Sequence, residues 1–176
     1  MITLVTGGAR SGKSSFAENI YKGKKDVVYI ATSRAEDVEM KERVKKHKSG
    51  RPDFWRTYEG TYDIEKAVGS EENYILDCIT VLTSNVMFDM SKDLERISGE
   101  LEKNIEDRVV EIIEKLIKKS ADKNIVMVTN EVGSSIVPEN HIARVFRDIA
   151  GRVNQRVAAL SDEVYVVFCG ISLKLK

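Results

Sequence analysis

Histidine, cysteine and proline each occur only twice in the 176 residues, and tryptophan once. Two histidines, His47 and His141, exclude a multi-histidine metal centre. Two cysteines, Cys78 and Cys169, make neither a disulfide framework nor a CxxC metal site. Both lie in apolar runs, where cysteine is expected to act as a small buried hydrophobe, and this usage points to a reducing cytoplasm. No apolar stretch approaches the ~18 residues that a membrane span requires. The opening MITLVTGG has neither the basic region nor the long apolar run of a signal peptide. Net charge is also missing: 28 basic residues balance 28 acidic ones. That argues against a broad electrostatic grip on nucleic acid or on an anionic membrane. There is no internal repeat or low-complexity linker, and Pro52 and Pro138 mark no boundary. With 42% hydrophobic residues, residues 1–176 are expected to form one domain whose core needs no disulfide or structural metal.

What is present is an alternation. The runs ITLVT (2–6), VVYIAT (27–32), YILDC (74–78), IVMVT (125–129) and EVYVVF (163–168) are short, rich in β-branched residues and nearly continuous in apolar character. Parallel strands covered on both faces have this pattern. Between them lie helical periodicities over 13–22, 36–48, 94–119 and 139–160. Met40, Val44 and His47 share one side of the second. Leu101, Ile105, Val109, Ile112 and Leu116 mark the third, and Ile142, Val145, Phe146, Ile149, Val153, Val157 and Leu160 the fourth. Strand–helix alternation predicts right-handed βαβ units and a three-layer α/β fold with a mostly parallel sheet. The alternating tail ISLKLK is expected to pair antiparallel with EVYVVF, with Cys169-Gly170 in the turn.

The strongest local signal is GGARSGKS, residues 7–14, which fits G-x-x-x-x-G-K-[ST] directly between a predicted strand and a predicted helix. Glycines allow backbone N–H groups to converge on phosphate oxygens, and the helix N-terminus adds positive potential. Lys13 can reach the β- and γ-phosphates, and the Ser14 hydroxyl can ligate Mg²⁺. Asp77, closing the apolar YILDC, fits a Walker-B acid for the same metal; a capping or loop aspartate is the alternative. Asn130 and Glu131 should emerge at the C-terminal edge of the sheet, where open α/β folds bind ligands; Glu131 can accept a proton or orient a substrate there, and a helix-capping or turn residue is the alternative. The N-K-x-D signature of regulatory GTPases is absent. On these residues alone, a P-loop small-molecule kinase and a nucleotide-dependent switch ATPase or GTPase both remain open.

His47 sits among Lys45, Lys46, Lys48 and Arg51, one turn before Gly50 and Pro52, which read as a helix stop. A surface or half-buried histidine is one reading. A neutral imidazole that attacks phosphorus and forms a phosphoramidate is the other. His141 reads as an early-helix surface residue without a role.

Taken in order, GGARSGKS, YIATS, RVKKHKSGRPDFWRTYE, LDC, TNEVGSSIVPEN and FRDIAGRVNQRVA resemble the bifunctional adenosylcobinamide kinase / adenosylcobinamide-phosphate guanylyltransferases of cobalamin biosynthesis. The resemblance runs from residue 2 to the terminal ISLKLK. HKSGRP, TNEVG-x-x-IVPEN and FRDIAGRVNQR are its most particular segments. It implies a P-loop NTPase-type fold and two reactions. ATP or GTP phosphorylates the aminopropanol hydroxyl of adenosylcobinamide, and GMP is then transferred from GTP to that phosphate through a guanylylated histidine, which His47 matches. Some relatives carry a second histidine just before the reactive one, where this chain has Lys46. The implied nucleotide contacts are Gly7, Gly8, Ala9, Arg10, Ser11, Gly12, Lys13 and Ser14, then Thr32, Ser33 and Arg34, then Lys48, Ser49, Gly50 and Arg51, with Glu59 and Asp77. Ser14 and Asp77 would hold Mg²⁺. Glu59 and Glu131 are both candidates to take the hydroxyl proton. The family implies a homotrimer with sites shared between neighbouring subunits. Arg147, Asp148, Arg152, Asn154 and Gln155 fit an interface network, a structural clamp or a catalytic role equally.

Overall fold

The computed structural model describes residues 1–34, 52–92 and 94–176. The expected helix over 36–48, with His47, and the contacts Lys48, Ser49, Gly50 and Arg51 lie outside the described residues.

The five apolar runs form the centre of one seven-stranded sheet: β1 (Ile2–Thr6), β2 (Val27–Ala31), β3 (Arg56–Glu59), β4 (Asn73–Asp77), β5 (Asn124–Val128), β6 (Glu163–Phe168) and β7 (Ile171–Lys174). Their order is β3-β2-β4-β5-β1-β6-β7. All neighbours are parallel except β6 and β7. Register aligns Glu59, Ala31, Asp77, Val128, Val5 and Tyr165 across six strands, near the carboxyl edge. β3 was not expected. Its sequence, RTYE, is polar because it lies at the sheet margin with mostly exposed side chains. Parallel pairing with β2 and a bidentate Arg56–Glu71 ion pair at 2.6 and 3.0 Å hold it there.

Strand alternation divides the core in two. Leu4, Val28, Ile30, Tyr74, Leu76, Ile125, Met127 and Val164 face three helices: α2 (Ile79–Ser91), α3 (Gly99–Lys119) and α4 (His141–Leu160). Val5, Val27, Tyr29, Ala31, Ile75, Val126, Val128 and Val167 face the other way, where α1 (Lys13–Ile20) packs through Ala17, with Tyr21 just beyond its end. The result is the expected three-layer α/β fold. α2 is the element that periodicity missed. Its segment ITVLTSNVMFDMS buries Ile79, Thr80, Leu82, Thr83, Val86, Met87 and Ser91. With hydroxyl residues buried beside the apolar ones, the segment shows no clean amphipathic spacing to reveal it. The helix expected from residue 94 begins at Gly99, where the Ser98 hydroxyl accepts from Leu101 N–H at 3.2 Å. α4 begins one residue after Asn140, whose side chain accepts from Ala143 N–H at 3.1 Å.

Two charged residues of the FRDIAGRVNQRVA segment act as a clamp between helices. Arg152 pairs with Glu102 and with Glu106 at 2.6 Å, and Arg156 pairs with Asp107 at 2.7 Å, tying α4 to α3. His141 is half-buried, and Ile97 N–H points at its Nε2 at 3.3 Å, so it holds the approach to α3 and is not a plain surface residue. Cys169 also departs from expectation: it is exposed, because it occupies the β6–β7 turn. Among the described residues, no helix is long and apolar enough to cross a membrane.

The face assignment of α4 predicts a contrast. Ile149 is fully buried, whereas Leu160, expected on the same apolar face, is 40% exposed because it is the last residue of α4. In urea unfolding, Ile149→Ala should lose about 2–5 kcal/mol and Leu160→Ala less than about 0.5 kcal/mol.

Candidate nucleotide-binding site

β1 stops at Thr6 and α1 starts at Lys13, so residues 7–12 form a short loop over the carboxyl edge. Gly12 is the N-cap of α1 with φ +95°, a left-handed conformation that strongly favours glycine. Among the described residues, no side chain caps α1. Its first N–H groups are therefore left for an external acceptor, and the helix terminus favours an anion there. The Lys13 ammonium donates to the Gly8 carbonyl at 3.0 Å and so spans the loop. Lys13 is 92% buried by its 8% exposure. Burial lowers its pKa from the ordinary lysine value, against the opposing influence of Cys78 and Asp77 nearby. Thr6 Oγ1 and Ser11 Oγ are buried beside the same loop and, among the described residues, have no hydrogen-bond partner; they are donors that a bound oxyanion could satisfy.

Asp77 ends β4, and β5 separates that strand from β1. Two strand spacings put the Asp77 backbone about 10 Å from the P-loop strand, and the Asp77 charge is near enough to act on Lys13. Tyr29, buried on the α1 face, donates from its hydroxyl to Asp77 Oδ2 at 2.5 Å and orients the carboxylate. Thr32 is stitched to the same strand end. Its hydroxyl donates to Cys78 O at 2.8 Å and accepts from Cys78 N–H at 3.0 Å, and its N–H donates to Asp77 O at 3.3 Å. Burial, aided by the Asp77 charge, pushes the Cys78 thiol up to about 12. Cys78 is thus a structural group and not a thiolate nucleophile.

The remaining predicted contacts separate in space. Arg34 leaves the β2 edge and meets α2, where its guanidinium pairs bidentately with Asp89 at 2.8 and 2.5 Å. Tyr62 donates to the same carboxylate at 2.6 Å. Asn85, one turn before Asp89, donates to Thr32 O at 2.7 Å. Sequence reading missed Asn85, Asp89, Tyr62 and Tyr29. The i, i+4 spacing of Asn85 and Asp89 was the available signal, within a segment not read as helical. Glu59 ends β3, four strands from β1, roughly 19 Å at strand spacing. It is exposed and belongs to the β2–β3 side of the edge. Glu131 Oε1 accepts from Gly133 N–H at 2.6 Å and Ser134 N–H at 3.2 Å, so that carboxylate oxygen shapes its own loop. Thr129 donates to Asn154 Oδ1 at 2.7 Å, and Asn154 in turn donates to Asn130 O at 3.1 Å. The loop after β5 is therefore anchored to α4, and Asn154 joins the structural clamp.

A loop that turns free helix amides and a buried ammonium to one side, with a carboxylate on the next strand but one, can hold a triphosphate. This is the P-loop class of nucleotide-binding α/β proteins. The whole fold is similar, at 12% identity and a TM-score of 0.61, to a prototypical ATPase of a bacterial type III secretion system, covering 98% of this chain and 56% of that one. Within the class, residues 3–175 match the family model for cobinamide kinase / cobinamide phosphate guanyltransferase, and the chain belongs to that family. It is 42% identical to the bifunctional adenosylcobalamin biosynthesis protein CobU of Escherichia coli K12 and 43% identical to CobU of Salmonella typhimurium LT2. Each alignment covers all of both chains. It is 33% identical to CobP of Pseudomonas aeruginosa, over all of this chain and 98% of that one.

The Arg34–Asp89 pair predicts a pH dependence. Hydrogen bonds from Arg34 and then Tyr62 hold the Asp89 carboxyl at about 2, below its ordinary 3.8. The unfolded chain therefore takes up this proton first on acidification. The stabilisation is complete above pH 3.8 and is lost as pH falls toward 2. The stability gap between wild type and Asp89→Asn in urea titrations should be widest near neutrality and should close over that acid range.

Proposed function

We propose that this chain catalyses both reactions in its family's description, acting on adenosylcobinamide and then on its phosphate, with residues 1–176 working as a single domain. The observation that carries the reading is the P-loop as folded, with the uncapped α1 N-terminus, buried Lys13 and Asp77 at one edge. In the kinase step, loop N–H groups and Lys13 hold the triphosphate of ATP or GTP. The aminopropanol oxygen attacks the γ-phosphorus, its proton is released, and the nucleoside diphosphate leaves. Catalysis here is positioning and charge neutralisation. The hard oxygen donors Ser14 and Asp77 suit Mg²⁺, and Tyr29 fixes one Asp77 oxygen while the other stays available in the carboxylate. When bound, Mg²⁺ would neutralise charge on the phosphates.

In the transferase step, an imidazole nitrogen of His47 attacks the α-phosphorus of GTP. A P–N bond forms, the bond to the β-phosphate oxygen breaks, and pyrophosphate leaves. An oxygen of the cobinamide phosphate then attacks the same phosphorus, breaks the P–N bond and restores the imidazole. Two half-reactions of this kind give ping-pong kinetics. Thr32, Ser33, Arg34, Lys48, Ser49, Gly50, Arg51 and Glu59 are the residues we assign to nucleotide contact beyond the P-loop. Arg34 is preset for that role by Asp89, and the distance of Glu59 from β1 suits contact with a part of the nucleotide remote from the P-loop phosphates. We read the protein as a cytoplasmic homotrimer. The exposed apolar side chains of the C-terminal hairpin, Phe168, Ile171, Leu173 and Leu175, support a subunit contact, and its two free thiols suit a reducing compartment.

With Mg²⁺ and GTP labelled at the α-phosphate, wild type should acquire acid-labile, alkali-stable label and His47→Ala none. Label retained in the variant would assign the nucleophile elsewhere. Lys13→Ala should lower the kinase kcat/KM by roughly 10²–10³ while leaving the far-UV spectrum unchanged.

A further inference from the structure

A loop that binds phosphate through backbone amides works only if its peptide planes face the right way. In a trans peptide the carbonyl and the following N–H point in opposite directions, so restraining the carbonyl aims the amide. Two loop carbonyls are restrained from outside. Gly7 O accepts from Glu131 N–H at 3.1 Å, and Ser11 O accepts from Gly170 N–H at 2.8 Å. The second bond fixes the peptide whose amide belongs to Gly12, the N-cap of α1.

The donor Gly170 lies in the two-residue turn between β6 and β7. Cys169 and Gly170 both have positive φ, +52° and +80°, as a tight hairpin turn requires. Pairing of Phe168 with Ile171, and an ion pair from Lys174 to Glu163 at 2.6 Å, hold that turn in place. Loop and hairpin meet backbone to backbone. A Cβ on Gly12 would come within 3.2 Å of Gly170 Cα, and one on Gly7 within 2.5 Å of Val167 O.

We infer that the Cys169-Gly170 turn is a positioning element for nucleotide binding: the Gly170 amide, by holding Ser11 O, turns the Gly12 amide toward the phosphates without itself touching them. The inference rests on the phosphate-binding reading of residues 7–14.

The test compares full-length chains. Gly170→Asn keeps the amide and tolerates a left-handed backbone, whereas Gly170→Val places a β-branched residue there. A third, semisynthetic chain is joined at Cys169 and carries an ester in place of the Cys169–Gly170 amide, removing only the N–H. MgATP affinity is measured by calorimetry well below each Tm, with Lys13→Ala as the control. Gly170→Asn should bind within about twofold of wild type, and the Val and ester chains about three- to tenfold more weakly. If Gly170→Val does not fold, the ester chain carries the test. A folded ester chain that binds MgATP as tightly as wild type, whatever its Tm, overturns the inference while Lys13→Ala still loses binding. If Lys13→Ala also binds like wild type, the phosphate-loop reading fails and takes the inference with it.

Discussion

Parallel register is the constraint on which the site depends. Strands β2, β4, β5 and β1 run in one direction and end at one level, so Ala31, Asp77, Val128 and Val5 form a row. Each strand delivers its next residues to the same edge: the P-loop from β1, Asp77 and Cys78 from β4, Thr32 to Arg34 from β2. A slip of one residue in β4 would turn Asp77 to the α2 face and bring Leu76 to its place. The buried Tyr29 hydroxyl on Asp77 and the paired hydrogen bonds of Thr32 with Cys78 both oppose that slip.

The polar groups around this edge divide the work between holding and exposing. Asn85, Asp89, Tyr62 and Thr80 are spent on other protein groups: Thr32 O, Arg34, Asp89, and Asn130 N–H. Lys13 and the first amides of α1 are left facing the loop. Arg34 belongs to both sets, since its guanidinium is bound to α2 while about a third of its side chain stays exposed. An arginine fixed in this way loses less side-chain freedom on meeting a ligand than a free one would.

Much of this was legible in the residues. GGARSGKS, the five apolar strands, Asp77 at a strand end and the antiparallel tail rest on local chemistry, which spacing reports directly. What escaped depends on tertiary surroundings. α2 buries Thr80, Thr83 and Ser91 together with its apolar residues, so no clean apolar spacing marks it. β3 is polar because it lies at the margin, and only its pairing with β2 makes it a strand. The turn position of Cys169 was legible, but its apolar neighbours suggested burial, and the turn places it in solvent. The partner of Arg34 lies 55 residues further along the chain, a separation no local pattern spans. The choice between interface and clamp for Arg152 and Asn154 likewise needed the positions of Glu102, Glu106 and Thr129.

The contact between the loop after β1 and the turn after β6 also orders events during synthesis. The phosphate-binding loop leaves the ribosome well before the amide that orients it, because Gly170 lies far along the chain from Ser11. Until Gly170 has emerged and β6 has docked beside β1, the Ser11 carbonyl has no such partner and the neighbouring peptide is free to turn. A nascent chain therefore carries its nucleotide signature before the peptide that shapes it is set, and a clipped chain lacking that turn would hold ATP and GTP more weakly than intact copies.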